Sequence, residues 1–294
     1  MLSGRLGLEA ARIPHKDRHG LIHLARGRLF AHDGTLRFGT DGSSPELERG
    51  LYDIPYQGVT CILLGPGSSV THDALRLLAR HDTALVCTGE DGVRMYASMP
   101  FGPDSSRLAR RQVGLWTNPD LRIDVVRRMY AWRLGEVLPV RDLSALRGIE
   151  GSRVKEMYRL TAERFGITWR GRNYDRSDPD GADPPNQAIN HASSAVLAAA
   201  QTATAAVGAI PQLGFIHEDS GYAFCLDIAD LFREAVTIPA AFGGLVASHK
   251  DPKLPLERAV RQQCGRLFQK VDLIAGMIDR IKGLLDADDR RRDA

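Results

Sequence analysis

Two periodicities divide the chain. Up to about residue 100, short apolar runs alternate with turn residues, the pattern of strands. Leu21–Gly39 reads as short strands punctuated by the Arg26-Gly27 and Asp33-Gly34 turns. Val59–Gly65 reads as a strand ended by Gly65-Pro66-Gly67, Thr83–Gly89 as another, and Val93–Ser98 as one more. Between them Val70–Arg80 has helical spacing, with Thr71 as N-cap. Past Met99-Pro100 the β-branched runs thin out and periods near 3.6 take over. Helices are predicted over 105–118, 120–134, 144–166, 186–208, 222–235 and 255–285. The fold class is therefore α+β: an N-terminal β-sandwich-like domain with one helix (1–99), a larger all-helical domain (100–285), and a charged, frayed tail (286–294). Gly65-Pro-Gly-Ser-Ser lacks the Gly-Lys-Ser/Thr end of a phosphate loop and reads as a turn.

The stretch Leu213–Arg233 concentrates the chemistry. In its helical half, Ile228, Leu231, Phe232 and Ala235 fall on one apolar stripe. Asp227 and Asp230, three apart, lie one turn apart on one side and border that stripe. A carboxylate there is costly unless it is paired, hydrogen-bonded or bound to a metal. His217 precedes the helix across a short Glu-Asp-Ser-Gly turn that can fold it back over the Asp pair. Two arrangements answer the cost: a divalent-metal site shared by imidazole and carboxylates, or arginines on a neighbouring element with His217 an ordinary loop residue.

Two further segments stand out. Glu150 sits between Gly148 and Gly151 in a helical stretch. Glycine lowers helix propensity, so either a second backbone approaches closely there or the helix is a kinked surface one. Thr168–Arg176 mixes arginines with Trp169 and Tyr174. That mixture suits phosphate contact with base stacking, or a packed loop with a solvated arginine fringe.

Charge sharpens the picture. The net charge is only +3. Residues 107–176, however, hold 16 Lys and Arg against 8 Asp and Glu, a formal +8 that leaves −5 on the remainder. A basic block in a near-neutral chain points to a polyanion surface or to solvated helix faces. Cys61, Cys87, Cys225 and Cys264 are scattered without a Cys-x-x-Cys pair, which indicates neither a disulfide framework nor a zinc ribbon and fits a reducing cytosol. The N-terminus lacks an apolar run of signal-peptide length. No charged residue occurs between Asp183 and Glu218. Its Ala, Ser, Thr, Gln and Asn content and Pro211 indicate a close-packed interior helix and no membrane span.

The motifs Leu146-Arg-Gly-Ile-Glu-Gly-Ser-Arg153, Asn186-Gln-x-x-Asn190, Gly214-Phe-Ile-His217 and Leu226-Asp-Ile-Ala-Asp-Leu-Phe232 together resemble the CRISPR adaptation integrase, the larger of the two universal CRISPR-associated proteins that insert new spacers. The Ile149-Glu-Gly-Ser-Arg153 and Tyr174-Asp175 forms are similar to the type I-E branch. The resemblance spans nearly the whole chain, Val93–Ser98 included. It implies a helical catalytic domain in which Glu150, His217 and Asp230 bind Mg²⁺ or Mn²⁺. Asp227 matches a further acidic catalytic position close to the metal. It also implies a homodimer, a small ferredoxin-like partner protein, a cytoplasmic location, and two DNA substrates: a duplex with 3′ ends and the CRISPR repeat. Arg76, Arg94, Arg258 and Arg261 match basic positions that meet DNA phosphates in relatives, and Tyr174 matches a candidate for reading the protospacer-adjacent motif. Some relatives carry a tyrosine in the first hairpin where this chain has Arg26, and a Pro-rich tail that this sequence does not show.

The implied reaction is phosphoryl transfer, in which DNA 3′-hydroxyls attack repeat-edge phosphodiesters. A stand-alone, metal-dependent, structure-specific nuclease would use the same residues with water as nucleophile. A non-catalytic DNA scaffold would need only the basic surface.

Overall fold

A computed structural model describes residues 18, 20–43, 47–81, 83–98, 106–137, 139–140, 142–173 and 182–286. The chain divides into two compact units, Met1–Arg107 with Ala205–Gly208, and Leu108–Thr204 with Ala209–Ala294. A strand-rich N-terminal region is followed by a helical one, as the periodicities predict.

The first unit holds two four-stranded sheets. One runs β1 (Leu21–Leu24), β5 (Cys61–Leu64), β7 (Ala84–Thr88), β8 (Met95–Ser98). Its first three strands are parallel and β8 is antiparallel. Every residue of β5 is buried, as befits a central parallel strand covered on both faces. The other sheet runs β4 (Gly50–Ile54), β3 (Thr35–Thr40), β2 (Arg28–His32), β6 (Ser69–Val70). Helix α1 (His72–Arg80) starts at Thr71, whose hydroxyl accepts the Ala74 amide at 3.3 Å. Leu24, Leu29, Phe38, Ile62, Leu78 and Leu85 join both sheets and α1 in one core. The sequence pattern does not show β4 or β6. Alternating exposure in β4 leaves Leu51 in solvent, so its apolar residues do not mark a buried face.

The second unit is built of α2 (Arg107–Thr117), α3 (Pro119–Leu134), α4 (Leu143–Arg164), α5 (Pro184–Val207), α6 (Ala223–Asp230), α7 (Ile238–Lys250), α8 (Leu256–Val271) and α9 (Leu273–Asp286). Asn118 caps α3 and Asp142 caps α4 through side-chain oxygens that accept first-turn amides. The charge-free stretch is an interior helix: Ala188, Ile189, Ala192, Val196, Ala199 and Ala203 of α5 are buried. Thr202 and Thr204 return their hydroxyls to the carbonyls four residues back, at 2.9 and 2.7 Å. Among the described residues no helix is long and apolar enough to cross a membrane.

Three helical expectations need correction. The helix predicted over 222–235 ends at Asp230. Leu231 and Phe232 then donate to carbonyls three residues back, and the Val236 and Thr237 amides both point at Phe232 O in a π-turn over Arg233–Thr237. Ala235 is exposed, so the apolar stripe stops with the helix. The sequence does not predict α7, because Thr237-Ile-Pro239 resembles a helix stop. Here Pro239 lies in the first turn, where a missing N–H costs no intrahelical bond. Finally, 255–285 is two helices, separated at Asp272 in a left-handed conformation (φ 47°).

Gly148 and Gly151 lie inside α4, and a Cβ at either would meet nothing within 4 Å. Among the described residues no second backbone approaches them. Gly148→Ala and Gly151→Ala should therefore each stabilise the protein by about 0.5–1 kcal/mol. Urea unfolding of the isolated chain checks this, and a loss of stability would reveal a contact at that face.

Candidate active site

Asp227 organises the site. It sits in α6 at 1% exposure, and its carboxylate accepts four hydrogen bonds. Oδ2 takes the Phe215 amide at 2.6 Å and the Ile216 amide at 3.0 Å; Oδ1 takes the His217 amide at 3.0 Å and the His217 Nδ1 at 2.7 Å. The turn after His217 thus folds the loop back onto α6, as its length allows. An ionised carboxylate only accepts, so Nδ1 carries the proton and the neutral ring presents the Nε2 lone pair outward. With both oxygens engaged, Asp227 acts as a positioning residue behind His217.

The loop is braced from other elements. A Cβ on Gly214 would lie 2.3 Å from His217 O and 2.8 Å from the Ala223 backbone, so only glycine permits this fold-back. Gln112 of α2 accepts from the Ile210 amide at 2.7 Å and donates to Ile210 O and Leu213 O, both at 2.9 Å. Trp116 Nε1 donates to Gly214 O at 2.8 Å. Arg122 of α3 donates to Phe215 O at 3.1 Å and pairs with Glu218, while Arg147 of α4 donates to Ile216 O. The sequence reading misses these four residues. Only Gln112, a buried polar residue among apolar helix positions, carries a signal that could have flagged it.

Glu150 of α4 and Asp230 of α6 meet on one guanidinium. Arg133 Nη1 of α3 lies 2.8 Å from Glu150 Oε1 and 3.5 Å from Asp230 Oδ2. Arg133 is 8% exposed, Asp230 15% and Glu150 18%. Arg233 also pairs with Asp230, and the Tyr130 hydroxyl donates to Glu150 Oε2 at 3.3 Å. Burial, with the Glu150 charge beside it, pushes the Tyr130 phenol well above its ordinary pKa and keeps it a donor. Asp230 therefore meets arginines, one of the two arrangements anticipated from the sequence. His217 is nevertheless no ordinary loop residue. The Asp227 hydrogen bond raises its pKa, burial opposes this in part, and the nearby Asp230 charge adds to it. Three carboxylates face two guanidiniums and one imidazole, a set that balances in formal charge when His217 is protonated.

Two carboxylates and an imidazole form a donor set suited to Mg²⁺ or Mn²⁺. Among the described residues, however, no three His, Cys, Asp or Glu side chains are gathered closely enough to hold a metal ion. The donors are of the right kind, and Arg133 stands between two of them.

The arginine-aromatic segment is a packed loop as far as Asn173. Trp169 stacks on Tyr158 (5.2 Å, 15°) and meets Phe242 edge-on. Arg172 reaches Asn186 and Asn190 at 2.9 and 2.7 Å, and buried Asn186 also donates to Gly171 O. The Asn186-Gln-x-x-Asn190 motif therefore anchors this loop. Tyr174 lies outside the described residues. In the first unit, Arg76 is exposed and pairs with Asp73, and Arg94 is exposed before β8. In the second, Arg258 is exposed on α8, where Arg261 pairs with Glu257. Arg26 is exposed at the β1–β2 turn.

Comparison with known proteins follows the same residues. The profile of the family described as CRISPR associated protein Cas1 matches residues 131–245, a span that includes Arg133, Glu150 and both aspartates. The CRISPR-associated endonuclease Cas1 of Escherichia coli (strain K12) is 39% identical over 277 residues, covering 94% of this chain and 87% of the relative. That of Geobacter sulfurreducens is 36% identical with the same coverage. Among solved structures, the crystal structure of the TtCas1-DNA complex superposes with a TM-score of 0.80 at 31% identity, over 92% of this chain and 97% of that one. An α+β chain with a helical unit that gathers acidic residues and a histidine thus has close counterparts among CRISPR proteins. It belongs to the Cas1 family.

The Asp227–His217 pair makes a measurable prediction. In metal-free protein, NMR titration should place the His217 midpoint above the ordinary value of about 6.5. In Asp227→Asn it should fall toward that value. Because the folded pKa is the higher one, the pair's contribution to stability is complete below about pH 6.5 and is lost as pH rises through the folded midpoint. Asp227→Ala strands three backbone amides and should cost about 3 kcal/mol or more.

Proposed function

We propose that this chain is a metal-dependent DNA integrase and endonuclease of CRISPR adaptation, of the type I-E branch, acting in the cytoplasm. It would work as a homodimer with a small ferredoxin-like partner. The observation that supports the reading is that Arg133 bridges Glu150 and Asp230, while Asp227, one turn before Asp230 on the same helix, holds His217 within reach of the Asp230 charge. Relatives across nearly the whole chain are named CRISPR-associated endonucleases, and TtCas1 has been crystallised with DNA.

In this reading Glu150, Asp230 and His217 would hold Mg²⁺ or Mn²⁺. Such an ion, when bound, supplies Lewis-acid polarisation of the scissile phosphate and charge stabilisation for the leaving oxygen. A DNA 3′-hydroxyl attacks phosphorus, the new P–O bond forms as the old P–O3′ bond breaks, and the displaced 3′-oxygen leaves to be protonated. No covalent enzyme intermediate is needed. Asp227 fixes the imidazole, and Tyr130 orients Glu150. Exposed Arg76, Arg94 and Arg258, with Arg261, would neutralise phosphates, so binding should weaken steeply with salt. Among the described residues the space over Gly148 and Gly151 is open, which would leave room for a sugar-phosphate backbone beside Glu150.

Glu150→Ala, His217→Ala and Asp230→Ala should each reduce strand joining by at least about a hundredfold, while DNA affinity stays within about threefold. Integration and gel-shift assays on the same preparations read both quantities. Joined strands mark an integrase, whereas hydrolysed ends alone would select the stand-alone nuclease. Full activity in chelator would return the chain to metal-free chemistry.

An imidazole ligand favours later transition metals, and Mn²⁺ opens that series while still accepting oxygen ligands. Half-saturation for joining should therefore come at lower Mn²⁺ than Mg²⁺ in wild type. The gap should narrow in His217→Asn. A preference left unchanged by that substitution would place His217 on the DNA instead.

A further inference from the structure

Arg133 occupies the position a cation would take between Glu150 and Asp230. Its Nη1 serves both carboxylates, at 2.8 and 3.5 Å, and its Nη2 is buried with no hydrogen-bond partner among the described residues. A buried guanidinium normally fills its donors, because each one left empty carries a desolvation cost. Here the fork is incompletely matched to its surroundings, and the longer contact is the one to Asp230. Asp230 has a second cation in Arg233, so it can give up the Arg133 contact without becoming an unpaired buried charge. Among the described residues Glu150 pairs with no second arginine; its other partner is the neutral Tyr130 hydroxyl.

We propose that Arg133 is a built-in counter-cation that holds the two carboxylates in place in metal-free protein. It sets the affinity for divalent metal by competing for Asp230. This rests on the reading of Glu150, His217 and Asp230 as ligands. A divalent ion shared by the same carboxylates would meet the guanidinium at close range as a like charge. The two occupations therefore exclude each other, and the contact that opens is Arg133–Asp230. Arg133 then stays on Glu150 and continues to position it.

The test is direct binding of Mn²⁺ to the full chain, without DNA, by calorimetry. Arg133→Gln should bind Mn²⁺ about tenfold or more tightly than wild type, since a full charge near the ion is removed. Arg133→Lys keeps the charge and should stay within about threefold of wild type. Metal-free Arg133→Gln should melt lower than wild type and recover more on addition of Mn²⁺. Affinity in Arg133→Gln that is unchanged or weaker would overturn the proposal and make Arg133 only a support for Glu150. A measurement on wild type keeps the test independent of how the variant folds. On Mg²⁺ titration the Arg133 Nε–H resonance should shift together with the His217 ring signals. A shift of His217 with Arg133 unmoved refutes the competition alone. If neither signal moves and calorimetry shows no binding, the metal reading fails and the proposal fails with it.

Discussion

A buried carboxylate with four donors holds this site together. Asp227 is nearly inaccessible, and an ionised group there is tolerable only because three successive amides and an imidazole replace its water. The dependence is mutual. The Phe215–His217 segment is irregular backbone, and its amides would be orphaned without Asp227. The loop conformation, the tautomer of His217 and the direction of its free nitrogen all follow from this one contact. Gly214 supplies the close approach it requires, and Gln112, Trp116, Arg122 and Arg147 satisfy the loop's outward carbonyls.

Around that anchor the electrostatics are closed on themselves. Glu150 and Asp230 share Arg133, and Arg233 adds a second cation to Asp230. Concentrated acidic charge on partly buried side chains would repel itself unless compensated. Compensation from α3 and from the turn after α6 allows α4 and α6 to present their carboxylates to the same space. Arg233, three residues beyond Asp230 at the start of the π-turn, lies on the same side and pairs back onto it.

Several features were legible because they are local. Thr71 caps α1 as its hydroxyl chemistry predicts, and the small-residue, charge-free stretch is the interior helix α5. The short turn between His217 and α6 does bring the histidine over Asp227. The failures are equally particular. The break at Asp272 is hidden by apolar residues that face the core on both sides of it. α7 is hidden by a proline that begins a helix where it reads as ending one. The glycines beside Glu150 suggest room for a neighbouring backbone or a kinked surface helix, and among the described residues that face is open.

The sequence by itself determined what depends on spacing: the β-then-α division, most helix spans, and a histidine and two aspartates brought close by a short loop. Its similarity to the Cas1 family added Glu150 to that group. Only the tertiary structure decided how these charges are compensated. Arg133 lies 17 residues from Glu150 and 97 from Asp230, and no periodicity ties it to either. It meets both because α3, α4 and α6 pack their polar edges toward one point. Buried charges find partners by proximity in space, and that proximity is set by packing rather than by order along the chain.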